Sequence, residues 1–245
     1  MKKLIFSLII VLSLAFTSHA GFIGEMGKDN PATTPSLVDE FISGTYTTGG
    51  IGDLGWLLSV GTITNPGTIL NRPGLRRLDT GATINTIVAI GLMSEATILS
   101  YDADNYFDIT FIVRPQANTL EEIRVGMLGS VTAAPPANGY YFLFDTSGSN
   151  ESTNTTKWVC VTRSASTDTD TASSITVNAN NWYNLRIAGN STSVTFYINN
   201  VPECTHTTNM STGNASPIIQ IENLTAASKT IDIDFFSLRG SGLSR

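Results

Sequence analysis

Two carboxylates, Asp232 and Asp234, stand at alternate positions of the run Ile-Asp-Ile-Asp-Phe-Phe at 231–236. On an extended strand such positions share a face. Paired carboxylates on one face are what glycoside hydrolysis uses, one as acid and the other as base or nucleophile. The flanking Ile231, Ile233 and Phe235 make a simpler arrangement the expectation: an outward polar row on a strand whose other face is core. Glu121 and Glu122 form a second acidic pair, but adjacent residues of a strand point to opposite faces. A Ser-His-Asp relay needs a histidine, and beyond His19 near the amino terminus there is only His206, with no G-x-S-x-G run to serve it. No catalytic residue is expected.

One internal histidine and the two separated cysteines, Cys160 and Cys204, do not make a zinc set, so no metal-binding residue is assigned. Asp102-Ala103-Asp104-Asn105 and Asp168-Thr169-Asp170 offer oxygen ligands at alternate positions. Both lack the glycine and closing glutamate of a calcium loop, so turn-forming aspartates and no cofactor are expected, with calcium as the alternative.

The stretch at 181–200, NWYNLRIAGNSTSVTFYINN, carries the strongest pattern. Alternation puts Tyr183, Leu185, Ile187, Val194, Phe196 and Ile198 on one face, and Trp182, Asn184, Arg186, Thr195 and Tyr197 on the other. Asn199-Asn200 suits a two-residue turn because Asn tolerates positive φ, so Ile198 should oppose Val201 and Tyr197 should oppose Pro202. That register turns Glu203 inward and sends Cys204 and His206 outward. An inward Glu is costly, so a bulge or sheet end is expected near Glu203. The polar side is the candidate ligand-binding surface, with Trp158, Trp182, Arg186, Tyr197 and His206. Aromatic platforms with hydrogen-bonding neighbours suit sugar rings, which stack one apolar face and bond at the edge. The competing reading has Trp158 and Trp182 covered by loops or by a neighbouring subunit.

The elements that position these residues read as short strands throughout. The clearest lie at 106–113, 122–128, 139–145, 157–162, 182–188, 194–199, 201–206, 218–222 and 231–238, with others around 38–42, 56–60 and 86–92. They are rich in β-branched and aromatic residues and separated by Asn, Ser, Thr, Gly and Pro clusters. No longer window has helical periodicity, which points to an all-β antiparallel sandwich. A meander of 157–162, 182–188, 194–199 and 201–206 in that order would leave Cys160 and Cys204 roughly 14 Å apart, beyond disulfide reach. Two free thiols are expected.

Residues 1–20 begin with Lys2 and Lys3, continue through an apolar run and end Ser18-His19-Ala20, the layout of a signal peptide cleaved after Ala20. A secreted, extracellular protein follows, with a leader at 21–36, one β-sandwich domain at 37–240 and a tail at 241–245. No membrane span is expected after signal removal. Losing Lys2 and Lys3 leaves 12 basic against 20 acidic residues, a net charge of −8, which argues against nucleic acid as a partner.

The run NNWYNLRIAGNSTSVTFYINNVPECTHTT, followed by IDIDFFSLRG, resembles the second half of a concanavalin A-like (laminin-G-like) jelly-roll sandwich. DEFISGTYTTGGIGDLGW with NRPGLRRLDTGAT resembles a subset of such sandwiches among phage structural proteins and related secreted proteins. The resemblance implies a two-sheet antiparallel jelly roll. Glucanases of this fold carry Glu-x-Asp-x-x-Glu or Glu-x-Asp-x-Glu, and the run at 231–236 lacks both glutamates. The expected function is non-catalytic recognition of a glycan or a surface protein. The alternatives are a structural part of an extracellular or phage-like virion assembly, as a homo-oligomer, and, less favoured, a polysaccharide hydrolase.

Overall fold

The computed structural model describes residues 36–42, 50–59, 61–66, 72–92, 106–148, 152 and 154–241. The expected signal peptide, nearly all of the 21–36 leader, the Asp102-Ala103-Asp104-Asn105 run and most of the tail lie outside the described residues.

The amino-terminal third supplies β1 (Ser36–Asp39), β2 (Leu57–Leu58), β3 (Thr62–Thr64), β4 (Arg76–Asp79) and β5 (Ile87–Gly91). The middle of the chain follows with β6 (Tyr106–Pro115), β7 (Glu121–Leu128), β8 (Gly139–Asp145), β9 (Lys157–Ser164) and β10 (Thr167–Thr176). The last third forms β11 (Tyr183–Asn190), β12 (Val194–Ile198), β13 (Val201–His206), β14 (Ser216–Asn223) and β15 (Thr230–Gly240). The first sheet runs β13-β12-β11-β6-β15-β4-β3, with β1 also on β15, and the second runs β10-β9-β8-β7-β14-β5-β2. The pairings are antiparallel. Ser36 lies opposite Arg239, so the first and last of the described strands are neighbours.

Side chains of the two inner faces meet in one core. Trp158 of β9 packs edge-on against Phe142 and Tyr183, and Phe142 against Phe196, tying the two sheets together. Near the amino terminus Trp56 meets Phe41 and Phe236. The buried Asp39 carboxylate holds that corner, accepting from the Phe41 amide (2.6 Å), the Leu54 amide (3.0 Å) and Trp56 Nε1 (3.1 Å). Gly52 presses against the same carboxylate: a Cβ there would lie 2.4 Å from Asp39 Oδ2, and its φ of +69° favours glycine.

The structure corrects the expected meander. The run Thr-Asp-Thr-Asp-Thr-Ala-Ser-Ser-Ile-Thr, polar on both sides, is an edge strand, β10, paired with β9 in the second sheet. The chain then crosses to the first sheet to begin β11, so β9 and β11 are not neighbours. Cys160 of β9 and Cys204 of β13 therefore meet across the sandwich, with Cα atoms 6.4 Å apart, and form a disulfide. Free thiols are ruled out for these two positions, and the bond fits an oxidising compartment.

The bulge expected near Glu203 is present: Tyr197 pairs with Pro202 and Phe196 with Cys204, leaving Glu203 as the extra residue. Its carboxylate accepts the Ser174 amide at 2.7 Å instead of entering the core. One extra residue reverses the alternation beyond it. Cys204 and His206 consequently point inward, not outward. A second bulge lies between Ile233 and Phe235. It turns Phe236 into the core and leaves Phe235, expected inside, on the outer side.

Candidate functional site

The outer face of the first sheet is where half-exposed polar and aromatic side chains collect, because β6, β12 and β11 as far as Ala188 alternate between buried and exposed or partly exposed residues. Registers across β12, β11, β6 and β15 align Tyr197, Arg186, Thr110 and Ser237 in one row. Asn184, Ile112 and Phe235 form the next row. Arg114, Asp232 and Arg77 form a third across β6, β15 and β4.

In the first row Arg186 donates to both oxygens of Asp108, at 2.8 and 2.7 Å, and its guanidinium lies 4.6 Å from the centre of the Tyr197 ring. The hydrogen bond to Asp108 outweighs desolvation and raises the Arg186 pKa. At the opposite end Asp232 is fully covered. It accepts from Arg77 at 2.6 and 3.0 Å, from Arg114 Nε at 3.0 Å and from Gln116 at 2.8 Å. Asp234 pairs with Arg72. The Arg72 and Arg114 guanidiniums lie 4.0 and 4.8 Å from the centre of the Trp182 ring, within cation–π range. Asp234, Arg72, Trp182, Arg114, Asp232 and Arg77 thus form one continuous chain of charge and π contacts. Beside it opens a pocket of about 220 Å³ lined by Glu40, Ile42, Pro73, Gly74, Ile112, Asp234 and Phe235.

Of the residues expected on this surface, Trp182, Arg186 and Tyr197 stand on it together. Trp158 and His206 do not. Trp158 is fully buried because both faces of β9 are covered, so its strand has no wet side. His206 is turned in by the Glu203 bulge and sits between Thr162, 3.2 Å from Nδ1, and Thr171, 3.0 Å from Nε2. Burial lowers its pKa, against a smaller opposing pull from Asp170, so the imidazole is neutral at pH 7. Sequence reasoning missed Arg72, Arg114, Asp108 and the Ile112–Phe235 pair. Asp108 and Ile112 are outward positions in the alternation of YFDITFIV, but no local signal ties them to a strand 78 residues away.

Asp232 and Asp234 do form the expected outward polar pair, yet both are engaged by guanidinium groups and Asp232 has no exposed surface. A carboxylate so covered cannot meet a glycosidic oxygen. Asp168 faces Arg163 at 3.4 Å. Among the described residues there is no group of three or more His, Cys, Asp or Glu side chains placed to hold a metal ion.

Away from this face, Glu121 is buried at the start of β7 with no hydrogen bond to either carboxylate oxygen. Burial pushes its pKa up to about 7, and Lys229 pulls weakly the other way.

Residues 71–234 match the sequence profile described as SO2946-like, C-terminal domain. The chain belongs to that family. The fold of this SO2946-like domain is similar to a protein of unknown function, SO2946 from Shewanella oneidensis MR-1, with a TM-score of 0.61, 14% identity and 88% of this chain aligned to 91% of that one. It is also similar to the botulinum neurotoxin serotype C1 binding domain, with a TM-score of 0.55 and 13% identity over 83% of this chain. A further botulinum neurotoxin type C structure, of a toxin whose passage into cells depends on interaction with two ganglioside molecules, gives 0.55 at 14% identity. The SO2946-like domain spans just under half of those toxin chains, 48% and 47%. The fold is thus an all-β sandwich of two antiparallel sheets of the concanavalin A-like kind. No curated protein matches the sequence.

Proposed function

We propose that this SO2946-like domain is a secreted, non-catalytic recognition module that binds glycans through the outer face of its first sheet. The observation that carries this reading is the co-location of Trp182, Arg186 and Tyr197 with a pocket on one half-exposed surface. Guanidiniums held over aromatic rings have lost much of their freedom before any ligand arrives, so little side-chain ordering remains to oppose binding. Tyr197 offers a sugar the ring face that Arg186 leaves open, while the guanidiniums hydrogen-bond its hydroxyls. The toxin structures lend analogy at the level of fold, and the Cys160–Cys204 bond suits an exported protein.

A glycan array probed with the mature chain, in calcium and in chelator, tests the reading. Saturable binding that weakens in Trp182→Ala and Tyr197→Ala, with the far-UV spectrum unchanged, is the expected result. Binding lost in chelator would bring Asp168 and Asp170 back as calcium ligands. An array without binders, from a symmetric oligomer that persists at low concentration, would sink glycan recognition and favour the assembly role.

A further inference from the structure

The pocket beside Trp182 has a chemistry more specific than the face around it. Its floor is Ile112 of β6 against Phe235 of β15, a directly paired cross-strand couple that presents a continuous apolar patch. That couple exists only because the bulge at Asp234 throws Phe235 outward. One wall is Pro73-Gly74, packed so tightly on the preceding segment that a Cβ on Gly74 would fall 1.6 Å from the Glu40 carbonyl oxygen. Only glycine leaves room for that backbone-to-backbone contact, which joins the 73–74 wall to the segment carrying Glu40 and Ile42. Two acidic residues are among the pocket's lining, Asp234, held by Arg72, and the exposed Glu40. Ile42, 56% exposed, borders the mouth.

We propose that this pocket is the primary subsite of the face and takes one uncharged pyranose ring, a neutral terminal hexose and not an acidic sugar. The inference rests on the glycan reading above and narrows it. At about 220 Å³ the cavity has room for a single ring and is smaller than the usual site for a drug-sized ligand. The apolar floor matches the C–H face of a pyranose, and carboxylate oxygens, which only accept, match its hydroxyl donors. The same carboxylates repel a sugar that carries its own, and the net charge of the mature chain adds to that repulsion. Arg72 links the two parts of the surface, because the guanidinium that holds Asp234 of the lining also lies over Trp182. A second sugar residue leaving the pocket meets that indole.

The test compares neutral hexose-terminated with sialic acid-terminated oligosaccharides on wild type, Ile42→Trp, Glu40→Lys and Tyr197→Ala. Ile42 and Glu40 are exposed, so both substitutions spare the core. The expected result is binding of the neutral set alone, weakened about tenfold or more by the indole of Ile42→Trp blocking the mouth. Glu40→Lys should move the preference toward the sialylated set. Wild-type preference for sialylated glycans overturns the proposal. Neutral-glycan binding that survives Ile42→Trp but fails in Tyr197→Ala also overturns it, and leaves glycan recognition by the face intact. Absence of binding to either set removes glycan recognition itself and the subsite with it.

Discussion

The two sheets present outer faces of opposite character. On the first sheet, β6, β11 and β12 alternate buried and half-exposed residues, and the outward positions hold Asp108, Arg114, Asn184, Arg186 and Tyr197. On the second, every residue of β7 and β8 is buried, and Tyr141, Leu143, Val159, Val161 and Ile218 form a separate apolar cluster with Leu128 and Val131. The 129–138 connection folds over that side, where Gln220 donates to the carbonyls of Val131 and Ala133. Arg124 enters the second face with partners of its own, donating to both Gln220 and Glu122. β7 and β8, covered on both sides, leave no surface for a ligand, which is why the proposed recognition site is sought on the other sheet.

The largest expected effect follows from that difference. Arg124→Ala should cost about 3–5 kcal/mol in urea unfolding, because it strands a buried carboxylate and amide. A loss below about 1 kcal/mol would mean that the second face is wetter than its burial implies. Glu121, the inward carboxyl of the same sheet, gives the opposite sign. Its pKa is raised from 4.5 to about 7 in the folded chain, so the unfolded chain gives up its proton first as pH rises. Stability should therefore fall from about pH 4.5 through 7 and level off above. Glu121→Gln should flatten that slope and gain on the order of 3 kcal/mol at pH 8, read from unfolding midpoints at pH 5 and pH 8. An unchanged slope would show that another group titrates there.

Asp232 sharpens the contrast from the other side, as a fully covered carboxylate on the open face. Asp232→Ala should cost about 2 kcal/mol, intermediate between the two faces, because Arg77 and Arg114 keep partial access to water when released. The smallest effect on stability belongs to Tyr197→Ala, under about 1 kcal/mol, since the Arg186–Asp108 pair it leans on is itself half-exposed. Binding should respond far more than stability. Equal losses in both would make Tyr197 a structural residue and not a recognition one.

The same difference explains what could be read in the sequence. Alternation is informative only where one face of a strand is wet, and the assignments for 183–198 hold residue by residue. In KWVCVT and GYYFLFD the apolar run is continuous, so nothing in it tells an outward Trp158 from an inward one. β10 failed for the opposite reason. It is polar on both sides, and overlooking it placed β9 in the wrong sheet and pulled the cysteines apart. Bulges are the third source of error. An inward Glu203 pointed to one, but its reversal of Cys204 and His206 needs the strand pairing itself. The bulge at Asp234 had no comparable marker, and with it went the Phe235 floor of the pocket.

The pairing of Ser36 with Arg239 has a consequence for how the domain is carried. Because the first and last of the described strands run side by side in opposite directions, the described part of the sandwich begins and ends at nearly the same point. Joining those two ends with a short linker, and opening the chain at an exposed turn such as 191–192, should give a circular permutant with the same registers and the same open face. In a larger protein the domain would hang from a single attachment point, free to be inserted into a host loop without forcing the host's own ends apart.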